Sequence, residues 1–177
     1  MRTKFTPNEI RLFEEYAEIV LYDKNNNEKA CTQIDLDVVP LVKNTKWYLR
    51  PDGYVATNNY NGDGYQYLHS IILSKKDNRT YVDHIDGDRL NNRSRNLREA
   101  STNQNSMNKS RRSNNSSGRT GVHWANENQK WCAMIGFDGK HINLGYFDTF
   151  EDAVQARQQA EEKYFGIYKP SERRATQ

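Results

Sequence analysis

The sequence predicts an α+β protein: a strand-rich N-terminal scaffold leads into a polar central core, followed by a small three-stranded antiparallel sheet packed on one helix. Three observations carry this prediction. Short β-favouring runs separated by Asn, Asp and Gly turns recur along most of the 177 residues. One long helical pattern stands near the C-terminus. Hydrophobic content is 35% and mean hydropathy −1.05, which suits small units with polar surfaces rather than one large core.

Residues 9–13 (EIRLF) alternate apolar and polar side chains, and residues 16–22 (YAEIVLY) alternate less cleanly. Residues 23–28 (DKNNNE) read as a turn, because Asn and Asp tolerate left-handed backbone. KACTQID then returns as the hairpin partner. DLDVVPLVK is a short helix at most, limited by Pro40. Residues 46–50 and 53–59 flank a Pro-Asp-Gly turn, a second hairpin signal. Residues 65–75 (YQYLHSIILSK) fit either a strand or a helix. Residues 1–80 thus read as a scaffold whose own chemistry is not evident.

Residues 104–120 are polar and basic, and their second half reads as a linker. RTGVHWA, KWCAMIGF and KHINLGYF then read as three strands, broken by the turn-like NENQ and DGK. TFEDAVQARQQAEEKYFG reads as the covering helix. Thr149 is its N-cap, supported by Asp152, and Gly166 stops it. Ala153, Ala156, Ala160 and Tyr164 share one face.

The net charge of +3 is unevenly spread. Residues 1–82 sum to 0, residues 83–120 to +4 and residues 121–177 to −1. Excess positive charge within so short a stretch suggests a polyanion contact. Cys31 and Cys132 lie far apart and no Cys-x-x-Cys occurs, so a structural zinc is not expected. The two thiols suit a reducing cytosol. No apolar run is long enough to span a membrane or to form a signal-peptide core.

The chemistry concentrates in YVDHIDGDRLNNRSRNLREASTNQNSMNK, residues 81–109. Asp83 and His84 combine a carboxylate that binds hard cations with an imidazole that accepts a proton near neutral pH. The turn at Asp86-Gly87 supplies a bend that lets adjacent side chains converge. An EF-hand is excluded: the twelfth position from Asp83 is Ser94, and from Asp86 it is Leu97, where that loop needs Glu. Ser101 or Thr102 caps a short helix that carries Asn105 and runs towards Asn108 and Lys109. An amide oxygen there ligates a cation without adding negative charge.

This stretch resembles the HNH nuclease motif in its phage and homing-endonuclease form. Asp83-His84 opens the motif, Asn96-Leu97 supplies the central Asn, and Gln104-Asn105 takes the last position, 22 residues after Asp83. The resemblance implies a ββα-metal fold and phosphodiester hydrolysis with one divalent cation, magnesium or in its place manganese. His84 is then the general base, Asp83 and Asn105 hold the metal, and Asn96 fixes the loop and orients His84. Many relatives carry a cysteine-bound zinc, which this sequence lacks. His69 stands where phage-type members often carry an upstream His, in a structural or DNA-contacting role.

GVHWANENQKWCAMIGFDGKHINLGYFDTFEDAVQARQQAEEKYFG resembles the APETALA-like, ethylene-response-factor type DNA-binding domain, through Gly121-Val122, Lys130-Trp131, Leu144-Gly145 and residues 147–150. In that family the sheet lies in the DNA major groove. The arginines that read bases there correspond here to His123, Ala125, Gly136 and His141, so arginine readout is largely missing. The module is then expected to bind weakly, or through His123, Lys130, Lys140, His141, Asn143 and tryptophan contacts. Trp131 is expected in the core, Trp124 is open, and core is the plain reading for Tyr146.

The expected organisation is a scaffold plus nuclease core over 1–110 (core about 65–110), a basic linker over 111–120, the second module over 121–168 and a tail over 169–177. Arg89, Arg93, Arg95, Arg98, Lys109, Arg111, Arg112 and Arg119 are expected on phosphates, with Asn108 also on DNA. The expected activity is nicking or cleavage of double-stranded DNA by a phage or mobile-element enzyme in a bacterial or infected cytoplasm. The alternative is a non-catalytic DNA-binding protein with a decayed nuclease core. No dimer signature is visible, so a monomer is expected.

Overall fold

Alternating short strands and tight turns fold much as their patterns require. A computed structural model of the chain describes residues 6–59, 64–74, 80–107 and 117–169. Two compact units emerge: Met1–His84 with Asp88–Ala100, and Ile85–Gly87 with Ser101–Gln177. Residues 101–110, expected within the 1–110 segment, thus fall in the second unit.

In the first unit, β1 (Ile10–Leu12), β2 (Ala17–Tyr22) and β3 (Glu28–Ile34) form an antiparallel meander in the order β1-β2-β3. Asp23 closes the β2–β3 turn by accepting the amides of Asn25 at 2.8 Å and Asn27 at 2.9 Å. Pro40 falls in the first turn of α1 (Val39–Val42), where a missing N–H costs nothing. Next come β4 (Tyr48–Leu49), β5 (Val55–Asn58) and β6 (Tyr65–Tyr67), a second antiparallel sheet, and then α2 (Leu68–Ile72). The ambiguous stretch is thus both strand and helix, changing at Tyr67/Leu68.

Ile19, Leu21, Ile34, Val42, Trp47, Val55 and Leu68 are fully buried together. Asn8 staples this core: its side chain donates to Val20 O and Trp47 O and accepts from Trp47 N at 2.7 Å. β7 (Tyr81–His84) and β8 (Leu97–Ala100) form a two-stranded antiparallel ribbon. The loop between them is laid along β3. Gln33 N donates to Leu90 O at 2.8 Å, and Asn92 N donates to Gln33 O at 2.9 Å.

In the second unit, α3 (Thr102–Met107) starts with a capping box. Gln104 N donates to Ser101 Oγ at 3.3 Å, and Ser101 N donates to Gln104 Oε1 at 2.8 Å. β9 (Val122–Ala125), β10 (Lys130–Phe137) and β11 (Lys140–Phe147) form an antiparallel sheet with β10 central, covered by α4 (Phe150–Phe165). Asp152 N donates to Thr149 Oγ1 at 3.1 Å, the expected cap. Val122, Ala133, Ile135, Ala153, Ala160 and Phe165 are buried at this sheet–helix contact. Gly121 has φ +78°, and a Cβ there would collide with Met134 O and the Arg157 guanidinium, so only glycine fits.

Candidate functional site

β7 ends on Asp83 and His84, and both are buried. Successive strand residues face opposite ways, so the two side chains enter different surroundings. Asp83 pairs in register with Arg98 of β8. Arg98 donates to Asp83 Oδ2 from Nε at 3.0 Å and from Nη2 at 2.7 Å. Both of these bonds land on Oδ2.

His84, 3% exposed, sits among rings. The His69 ring meets it edge-on at 5.2 Å between centroids, and Tyr54 lies at 5.9 Å. Tyr67 stacks on His69 at 5.0 Å and donates its hydroxyl to Asp52 Oδ2 at 2.9 Å. Burial, with the Tyr65 hydroxyl and the Asp52 carboxylate, pushes the Tyr67 phenol above its ordinary range, so it stays a donor. Arg89 is exposed and lies over Tyr54 at 4.6 Å, with Nη1 donating to Asp52 O.

The 88–96 loop is fixed by its own amides. Asp88 Oδ1 accepts Leu90 N at 2.9 Å, and Asn96, buried, donates from Nδ2 to Asn91 O at 2.8 Å. Asn92, 0% exposed, places Oδ1 at 3.1 Å from His84 Nε2. Asn92, a residue that did not stand out in the sequence, thus makes a side-chain contact to His84 from this loop. Asp35 anchors the same loop from the scaffold, accepting Arg93 Nε at 3.0 Å and Ser94 N at 2.7 Å.

Three arginines expected on phosphate form ion pairs within the protein. Arg98 holds Asp83. Arg93 holds Asp35 and Glu15 O and lies over Tyr16. Arg119 is 5% exposed and donates to Glu161 Oε2 at 2.6 Å, while Arg157 holds Glu161 Oε1 at 2.9 Å. Their acidic partners are distant in sequence, so a local charge count overstates the available cations. Arg89 and Arg95 are exposed. Asn105 falls on α3, but its side chain lies outside the described residues, as do Asn108, Lys109, Arg111 and Arg112.

On the sheet of the second unit, β10 pairs Cys132 with both His123 and Tyr146, Met134 with Asn143, and Gly136 with His141. Alternation puts these rows on the face opposite α4, and His123, His141, Asn143 and Tyr146 are exposed there. Tyr146, 47% exposed, is therefore a surface ring rather than a core one. Trp131 packs on Phe150 at 4.9 Å at the core edge, and the exposed Trp124 meets it edge-on at 5.5 Å. Lys140 is exposed, and Lys130 pairs with Asp148 at 3.0 Å.

Tyr54, Tyr67 and Asn92 were missed in the sequence. The Pro-Asp-Gly hairpin hints at Tyr54, but nothing in the asparagine-rich loop says which amide turns inward.

A family model described as HNH endonuclease matches residues 75–107. A protein of Acanthamoeba polyphaga mimivirus, described as an uncharacterized HNH endonuclease, is 34% identical over 137 residues, covering 76% of this chain and 71% of the relative. Protein 3.8 of Escherichia phage T7 is 38% identical over 71 residues, covering 40% of this chain and 59% of its own length. No solved structure matches. The matched segment spans β7, the braced loop, β8 and α3, and similarity extends over most of the mimivirus protein, so the chain belongs to the HNH endonuclease family.

Proposed function

We propose that this protein is a metal-dependent DNA endonuclease that hydrolyses phosphodiester bonds in double-stranded DNA, of the homing or nicking kind carried by phages and mobile elements. The observation that carries the reading is the adjacent Asp83 and His84 at the end of β7, inside the family-matched segment. His84 accepts the proton of the attacking water. Asn96 braces the loop that follows β7.

Asp83 and Asn105 are the proposed cation ligands. Among the described residues no three His, Cys, Asp or Glu side chains gather around one point. Few protein ligands suit magnesium, which keeps several waters and takes substrate phosphate oxygens. When bound, the cation stabilises negative charge on the leaving 3′ oxygen. A carboxylate supplies the hard oxygen that such a cation takes, which fits Asp83 to this role.

The second unit is proposed as an APETALA-like DNA-binding module that uses its exposed sheet face. The Asp83–Arg98 pair also favours one other reading, a DNA-binding protein whose carboxylate is neutralised and whose catalysis is lost. Supercoiled plasmid incubated with magnesium separates the two. Nicked or linear product from the wild type, absent with EDTA and lowered about 10²–10⁴-fold in His84→Ala, supports the nuclease. Binding by both proteins with cleavage by neither sinks it.

A further inference from the structure

We propose that Asn92 and Thr32 are positioning residues that fix which ring nitrogen of His84 carries the proton. The inference rests on the reading of His84 as general base. A neutral imidazole has one donor nitrogen and one acceptor nitrogen, and ring position alone does not say which is which. Here the surroundings decide.

His84 Nε2 lies 3.1 Å from Asn92 Oδ1. The other end of the Asn92 amide points at Thr32 Oγ1, at 2.8 Å, and at the backbone oxygen of Arg89, at 3.2 Å. A backbone carbonyl only accepts, so that end of the amide is the NH₂ group. Reversing the amide would set two acceptor oxygens against each other in a buried site. The Thr32 hydroxyl has one hydrogen, which goes to Leu90 O at 2.8 Å. Towards Asn92 it therefore accepts. Two carbonyls, Arg89 O and Leu90 O, thus set one direction for the whole chain of bonds. Nε2–H of His84 donates to Asn92, Asn92 donates to Thr32, and Thr32 donates to Leu90 O.

In the neutral ring the proton then sits on Nε2 and the basic lone pair on Nδ1. That is the nitrogen that takes the proton from water. The neutral amide oxygen still accepts from Nε2 after His84 becomes an imidazolium. His69 and Tyr54, flanking the ring at 5.2 and 5.9 Å, oppose a ring flip that would exchange the two nitrogens. Thr32 lies on β3, so the N-terminal scaffold supplies a link in the site's hydrogen-bond chain and not only support.

The test uses the full-length chain. Nitrogen-15 NMR of the His84 ring at a pH where it is neutral reads the tautomer directly. The Nε2–H form is expected in the wild type, and the Nδ1–H form would overturn the proposal without any mutant. Thr32→Val removes the hydroxyl at nearly constant shape. It is expected to mix the two tautomers and lower kcat for plasmid nicking about tenfold at unchanged KM, while Thr32→Ser restores both. A Thr32→Val protein with wild-type tautomer and kcat overturns the positioning role. If the wild type never nicks DNA, the reading of His84 as base fails, and the NMR signature still decides whether Asn92 and Thr32 set the tautomer.

Discussion

Glu161 shows how one buried carboxylate organises a unit. It accepts from Arg157 at 2.9 Å and from Arg119 at 2.6 Å, and all three side chains are nearly inaccessible. Removing it leaves two guanidinium groups in an apolar setting. Glu161→Ala is therefore expected to destabilise the second unit by about 3–5 kcal/mol, read as a lowered thermal midpoint of the full chain. Little change would mean that the two arginines reach solvent when their partner is gone. This arrangement was illegible in the sequence. Arg119 ends a polar basic run and reads there as a phosphate contact, because its acceptor stands 42 residues later. Arg93 and Arg98 likewise hold acids from elsewhere in the chain, Asp35 and Asp83. A run of positive charge reports composition, whereas availability depends on acids that other strands deliver.

Among the elements, those with local signals were the legible ones. Thr149 with Asp152 announced the start of α4, and the turn residues announced the hairpins. The ordering of the 88–96 loop was not legible, because it depends on β3 and on Asp35, which are remote in sequence. Partial burial works against the Asp35 charge, but the amide of Ser94 and the guanidinium of Arg93 outweigh it and hold the carboxyl below its ordinary range. A carboxylate depressed in the folded state stabilises above its unfolded pKa and loses that contribution as pH falls through the folded value. Asp35→Ala is thus expected to cost about 1.5–3 kcal/mol at neutral pH. The difference from wild type should shrink below about pH 4, measured by urea unfolding across pH. A difference that persisted undiminished at low pH would assign the effect to packing.

For the whole molecule, the accessible cations matter more than the net charge. Arg89 and Arg95 in the first unit and Lys140 in the second are exposed, while Arg119 is enclosed. Each phosphate contact contributes about one unit to the slope of log binding constant against log salt. Arg95→Ala and Lys140→Ala are each expected to reduce that slope by about one. Arg119→Ala should lower the thermal midpoint and leave the slope unchanged. A reduced slope for a folded Arg119 variant would show that this side chain reaches DNA after all.

The loop laid along β3 bears on how such a protein can be recombined. The segment that defines the family begins at residue 75, yet Leu90 and Asn92 are pinned by Thr32 and Gln33, far upstream. A nuclease cassette cut at the family boundary and spliced into another host protein would carry His84 without these fixings. On the proposed reading of His84, productive shuffling must move β3 together with the motif, so the working unit is longer than the sequence signature that identifies it.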